Sequence, residues 1–385
     1  MKTNLKKLLY SGVTLMSLGV LAACSSTSSS TTTSSSAATS QTSVATTSNN
    51  STSSDSSSST IDWSALPTTE VKLSNDGLKI TEGGTYILTG STTAGVTVET
   101  DANVRIILAG AEISSSDTAA INVINADNVE LEIKDGTTNT VKDTSNHTDT
   151  NIEGAIHVEA DLTITGNGSL TVEGNFQDGI VSTDDLVVNS GNITVTAVDD
   201  GIRGKDSLTI NGGTINVTAG GDGIKSTNDT DTTKGYTTIT GGEITVKAGD
   251  DGIKAETALT IDGGTITVPE SVEALEGTNI TINGGTIDVY GSDDAINASS
   301  TTSSDIYIKV TGGDLKVAVG SGDTDAFDAN GDIYISGGTI AVTAPTSAFD
   351  FDGTAELTGG TVTVNGEQIT QITATGPGAG GHGGW

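Results

Sequence analysis

The feature that most constrains this chain is a glycine pair recurring through its C-terminal half. Gly212-Gly213, Gly241-Gly242, Gly263-Gly264, Gly284-Gly285, Gly312-Gly313, Gly337-Gly338 and Gly359-Gly360 have first glycines 29, 22, 21, 28, 25 and 22 residues apart. A period near 22 with occasional insertions marks a solenoid, whose units pack only on their neighbours. Each unit carries three short alternating runs, such as Gly252-Ile253-Lys254, Ala258-Leu259-Thr260-Ile261 and Thr265-Ile266-Thr267-Val268. Alternation of β-branched residues reads as strand, and Gly-Gly or Asp-Gly between runs reads as turn. These features predict an all-β chain: a right-handed parallel β-helix of about ten coils of about 22 residues, with three short strands per coil. A hydrophobic share of only 34% suffices, because each coil buries one thin column of Ile, Val and Leu. A helical repeat is excluded by the glycine content and the period-2 pattern. The Gly-Gly-x-Gly-x-Asp spacing of calcium-binding nonapeptide rolls is absent.

What precedes the repeat is not fold. Lys2, Lys6 and Lys7 stand before a short apolar stretch, Leu8 to Val20, followed by Leu21-Ala22-Ala23-Cys24. An apolar run this short, behind lysines and ahead of small residues, is an export signal and not a membrane span. The tetrapeptide resembles a bacterial lipobox, which implies that Cys24 is lipidated once residues 1–23 are removed. Cys24 is the sole cysteine, so no disulfide forms within the chain. Residues 24–60 are almost wholly Ser, Thr, Ala and Asn, a composition that stays disordered and serves as a tether. Residues 61–100 are expected to form an N-terminal β cap, 101–372 the β-helix and 373–385 a Gly-rich flexible tail. The expected setting is the outer face of a bacterial cell membrane, with a monomeric body exposed at the wall.

Charge narrows the partners. Formal net charge is −33, and −36 without the three signal lysines. Nucleic acid binding requires a basic footprint and is excluded. Aligning coils on their Asp-Gly-Ile strands puts an acid two places before each inward apolar residue: Asp178, Asp200, Asp222, Asp251, Glu273, Asp294 and Asp325. Asp199, Asp250 and Asp293 double the row. Carboxylates stacked one rung apart repel by roughly 1 kcal/mol per pair in water and about 3–4 kcal/mol at an effective dielectric near 20. The row therefore needs cations, basic neighbours or raised pKa values. Each Asp alone serves equally as a turn cap. As a group, these ten acids together with Asp328 are the candidate ligands for Ca²⁺, which takes six to eight oxygens.

The column just after each inward residue reads Asn122, His157, Val181, Arg203, Lys225, Lys254, Glu276, Asn297, Asp328, Asp350. Arg203, Lys225 and Lys254 are candidates to contact an acidic sugar, or else they balance the acids beside them. His157 reads as a solvated surface residue. Aromatic residues make up only 3% of the chain. Ile306-Tyr307-Ile308 and Ile333-Tyr334-Ile335 nevertheless suggest two outward tyrosines in one column on adjacent coils, able to stack on sugar rings or on each other.

The run Ile80-Thr81-Glu82-Gly83-Gly84-Thr85-Tyr86-Ile87-Leu88-Thr89-Gly90 resembles the opening of a bacterial β-helical carbohydrate-binding domain family. So do Val104 to Ile113 and the repeated Asp-Asp-Gly-Ile motif, intact at 199–202 and 250–253. The resemblance implies a polysaccharide-lyase-like fold, bound calcium, and binding of cellulose-like or acidic pectic polysaccharide. Three functions stay open. One is calcium-dependent, non-catalytic binding of extracellular polysaccharide. Another is a polysaccharide lyase in which Arg203, Lys225 or Lys254 removes a proton beside a calcium-neutralised uronate. The third is a structural spacer or adhesin.

Overall fold

The structure is a computed structural model that describes residues 61–375 apart from Asp323. The expected signal peptide, Cys24, the tether and the tail beyond Thr375 lie outside the described residues. One 3₁₀ turn, Trp63–Ala65, is the sole helical element among them. All the rest of the regular structure is strand, joined in a single long and mostly parallel sheet.

Three columns of parallel strands account for the sheet. The first face stacks Gly154–Val158, Asp178–Ser182, Ile202–Gly204 and Ile224–Ser226, and continues to Asp325–Ala329 and Ser347–Phe351. The second stacks Asp161–Gly166, Asp185–Val188, Ser207–Ile210 and Tyr236–Ile239. The third carries the strands that follow each glycine pair, Thr214–Ala219 on Asn192–Ala197 and Glu243–Lys247 on Thr214–Ala219. Period-2 alternation turns one set of side chains inward on every face. On the first face Ile156, Ile180, Ile202, Ile224, Ile253, Leu275 and Ile296 are fully buried and in register, and Phe327 and Phe349 complete the column. Burying each such side chain contributes about 1.5–3 kcal/mol.

The glycines are explained by the stacking. Gly264 adopts φ +94°, a conformation that turns the chain between the second and third faces and strains any residue with a Cβ. Its neighbour Gly263 fails for a different reason: a Cβ there would lie 2.8 Å from the carbonyl oxygen of Thr240 one coil away. In the Asp-Gly-Ile motif a Cβ on Gly201 would meet Val217 Cγ1 at 2.3 Å.

The ends differ from the middle. Strand Thr68–Leu73 already pairs in parallel with Gly84–Thr92, and that strand with Val104–Ser114, so the N-terminal β segment is built as part of the stack. At the other end Thr361–Val364 and Glu367–Ile369 form an antiparallel hairpin around Asn365 (φ 52°) and Gly366 (φ 87°). Positive φ at both central residues is the two-residue hairpin geometry that Asn-Gly favours, a signal readable in the sequence and missed in the repeat alignment. The hairpin closes the last coil, and Thr375 Oγ1 accepts the Ala348 amide at 3.0 Å.

Two insertions interrupt the corner between the first and second faces. Residues 227–235 separate Ile224–Ser226 from Tyr236–Ile239, and 299–306 separate Ile296–Ala298 from Tyr307–Val310. In the two coils between them, Ile253–Ile261 and Leu275–Ile282 run through the same corner as continuous strands. These insertions lengthen the coils spaced 29 and 28 residues apart.

Candidate functional site: an acidic ridge and its cations

The outward column aligned from the sequence is reproduced rung by rung. Asn122 pairs with His157, His157 with Val181, Val181 with Arg203, Arg203 with Lys225 and Lys225 with Lys254. Lys254 then pairs with Glu276, Glu276 with Asn297, Asn297 with Asp328 and Asp328 with Asp350.

Beside it the acids form a hydrogen-bonded ladder. The Asp200 amide donates to Asp178 Oδ1 at 3.1 Å, Asp222 to Asp200 at 2.9 Å, Asp251 to Asp222 at 2.9 Å and Asp325 to Asp294 at 2.7 Å. Asp178, Asp200, Asp222 and Asp294 thus each accept the amide of the next coil, a role that a short side-chain acceptor suits. Only the second oxygen remains for charge. Arg203 bridges Glu153 and Asp178, Lys225 lies 2.5 Å from Asp200 and 3.0 Å from Asp222, and Lys254 bridges Asp251 and Glu276. Arg203, Lys225 and Lys254 therefore neutralise the ridge. Glu153, not singled out from the sequence, occupies the same position as Asp199, Asp250 and Asp293, one residue before the ladder site.

Balance fails in two places. Where the ladder changes from Asp to Glu, no N–H reaches Asp251 Oδ1, which is buried. Burial pulls Asp251 up, but protons shared from Glu276 and Glu273, with Lys254, hold it low. Glu273 and Glu276 are pushed well above the carboxylate range, first by burial and then by facing Asp251. Further on, Asp293, Asp294 and Asp328 make no ion pair with Lys or Arg among the described residues. Burial, then the charges of Asp294, Asp325 and Asp350, raise Asp328 to about 7. Asp294 rises to about 6, with burial again the main cause.

The doubled acids create two compact carboxylate groups. Ligand oxygens of Asp178, Asp199 and Asp200 lie within 4.8 Å of one another, as do those of Asp222, Asp250 and Asp251. Asp199 and Asp250 are exposed, while the other four are buried. Both exposed acids are raised by partial burial and then by their acidic neighbours. A donor set made only of carboxylate oxygens suits a hard cation such as Ca²⁺, and Zn²⁺ or a soft metal poorly. The structure thus gathers Asp178, Asp199, Asp200, Asp222, Asp250 and Asp251 in two groups, Asp251 with Glu273, and Asp294 with Asp325 and Asp328; Asp293 is exposed beside the last.

Two expectations are corrected. Tyr307 and Tyr334 do not share a register position: Tyr307 pairs with Asp332, and Tyr334 with Lys309. Ile308 and Val310 face the core against Ile333 and Ile335, which shifts the apparent Ile-Tyr-Ile match by two residues. Tyr334 instead donates to Asp332 Oδ2 at 2.7 Å. His157, expected in solvent, is 3% exposed and its Nδ1 has no partner. Burial, and then the Arg203 charge, lower it to about 4 from 6.5. The unfolded chain binds this proton below pH 6.5 and the folded chain only near pH 4, so stability falls as the pH drops through that window. Urea melts of wild type and His157→Gln should differ in pH slope between 6.5 and 4 by up to about 3 kcal/mol in total. Parallel slopes would show that the ring is not buried neutral.

Comparison with known proteins supplies the family. The pattern of the family described as carbohydrate-binding domain-containing protein matches residues 74–326. A relative of that description from Acetivibrio thermocellus is 33% identical over 135 residues, 33% of this chain and 47% of its own. The chain thus spans about half the length of that relative. A solved structure, titled a polysaccharide lyase-like protein from C. thermocellum in a gadolinium derivative, is 30% identical with a TM-score of 0.50, covering 57% of this chain and 92% of its own. With the match extending over most of the described solenoid, this chain belongs to the family of carbohydrate-binding domain-containing proteins.

Proposed function

We propose that this protein is a non-catalytic binder of extracellular polysaccharide whose acidic ridge is stabilised by Ca²⁺. In this reading the body is a right-handed β-helix of about ten coils, held at the bacterial surface by a lipid on Cys24. The observation that carries the metal is the pair of carboxylate groups at Asp178, Asp199, Asp200 and at Asp222, Asp250, Asp251. Arg203, Lys225 and Lys254 are already engaged by the ladder, which leaves Asp199 and Asp250 without an ion pair among the described residues. The gadolinium derivative of the lyase-like structure fits the same chemistry, since a lanthanide is also a hard, oxygen-seeking ion. A bound Ca²⁺ supplies positive charge to the ridge, and on its outer side a contact for an acidic or hydroxyl-rich sugar.

Binding is favoured over the lyase alternative by the state of the basic residues. A general base must be deprotonated at working pH. Lys225 and Lys254 lose solvation on burial, yet their carboxylate partners raise both above the ordinary lysine value. Arg203 is raised likewise. None is poised to accept a proton. Incubation with polygalacturonate should therefore give no absorbance from unsaturated uronate product.

The test is thermal. Chelator-treated protein should gain at least several degrees in Tm on addition of millimolar Ca²⁺, and Asp199→Ala/Asp250→Ala should lose most of that gain. An unchanged Tm in protein shown to be metal-free would end the calcium reading. Retention of polysaccharide in a pull-down, with or without chelator, separates binding from a spacer role.

A further inference from the structure

The two corner insertions stand one on each side of a pair of uninterrupted coils. Asn228, Asp229, Asp231, Thr232 and Thr233 form one wall, and Ser300, Thr302 and Ser303 the other, around ≈ 370 Å³ of space. Glu256, Thr257, Ala258, Thr278 and Asn279 make the floor, with Tyr236 at its edge.

Both walls are held in shape. Asn228 Nδ2 donates to Asp206 at 2.6 Å, while its Oδ1 accepts the amides of Thr230 and Asp231 at 3.2 and 2.9 Å. Asp231 in turn accepts the Thr233 amide at 3.0 Å. Across the groove Ser300 Oγ accepts the amides of Thr302 and Ser303 at 3.2 and 3.1 Å. On the floor Thr257 donates to the Lys234 carbonyl at 2.7 Å and Thr278 to that of Glu256 at 3.0 Å. Fixed walls reduce the ordering cost of binding.

Register adds a second observation. Ala258 pairs with Asn279, Asn279 with Tyr307 and Tyr307 with Asp332, positions that each precede a core-facing residue of the second face. Thr237 pairs with Leu259, so Tyr236 stands one rung from Ala258. Two tyrosines thus bracket two small or amide side chains in one column, roughly 14 Å apart at about 4.8 Å per rung. Tyr236 is 38% exposed, among the few large apolar side chains left in water. Small floor residues, flanking aromatic faces, and hydroxyls and amides on the walls are the elements of a sugar cleft.

We infer that this groove, on the corner between Tyr236 and Tyr307, is the glycan-binding cleft and takes a neutral, hydroxyl-rich polysaccharide chain. The inference rests on the polysaccharide-binding reading above and gives it a site and a ligand class. Neutrality follows from the lining: Asp229, Asp231 and Glu256 contribute negative charge, and among the described residues no Lys or Arg lines the groove. A uronate chain would be repelled there, whereas neutral hydroxyls donate to those carboxylates.

Affinity electrophoresis of the whole exported chain through gels containing hydroxyethyl cellulose, galactomannan or polygalacturonate tests this. Retardation by at least one neutral polymer is expected, weakened tenfold or more by Tyr236→Ala and further by adding Tyr307→Ala, with the Tm of Tyr236→Ala unchanged. Retardation by a neutral polymer that Tyr236→Ala leaves intact would overturn the cleft and spare the polysaccharide reading. Retardation by polygalacturonate alone would do the same. A chain retarded by none of the three would overturn both.

Discussion

Replacing Lys225 with methionine is expected to lower the unfolding free energy by about 3–5 kcal/mol near neutral pH, because it leaves two buried carboxylates without their shared cation. Asp200 and Asp222 sit on adjacent rungs, and Lys225 is within 3.0 Å of both. Their side chains are at most 9% exposed, so water does little to replace the lysine. Urea denaturation measures the loss directly. A loss below about 1 kcal/mol would mean that the ridge is solvated and that its ion pairs carry the small weight of surface pairs. The same variant sharpens the metal proposal. With the lysine gone, millimolar Ca²⁺ should raise the Tm of Lys225→Met by more than it raises that of wild type. The ladder's second role separates by shape: Asp222→Asn keeps an oxygen for the Asp251 amide, which lies 2.9 Å away, whereas Asp222→Ala orphans it. Asparagine should therefore be the milder change.

Phe327→Ala should cost about 3–5 kcal/mol as well, by a different mechanism. Phe327 is fully buried in register with Ile296, and its ring stacks on Phe349 with centroids 5.3 Å apart. Near the C-terminal end the column widens from aliphatic to aromatic side chains, and removing one leaves a cavity that rigid neighbouring coils cannot close. In a solenoid each coil is supported only by its neighbours, so the loss should appear as fraying from the hairpin end. Hydrogen exchange should show amides of residues 325–375 deprotected while those near the Gly212 and Gly241 turns stay protected. Uniform deprotection along the chain would contradict this local account.

How much of the molecule was legible beforehand depends on the range of the interaction. The inward column from Ile156 to Phe349 and the outward column from Asn122 to Asp350 follow from alternation and the recurring Asp-Gly-Ile strand, both local properties of the chain. Those columns appear in the structure residue for residue. The Ile-Tyr-Ile match misled because an insertion lies just before Tyr307, and local similarity does not say where inserted residues are accommodated. Core-facing Ile308 and Ile333 decided that register.

The sequence by itself determined the repeat, the all-β class, the inward and outward columns of the first face and the acidity of one ridge, because all of these depend on period and composition. Tertiary structure alone decided which carboxylate accepts which amide, which lysine serves which pair of acids, that His157 is buried, and that two insertions face each other across two bare coils. The ladder hydrogen bonds and the ion pairs between coils join residues 22 to 50 positions apart, and their distances exist only once the coils have stacked.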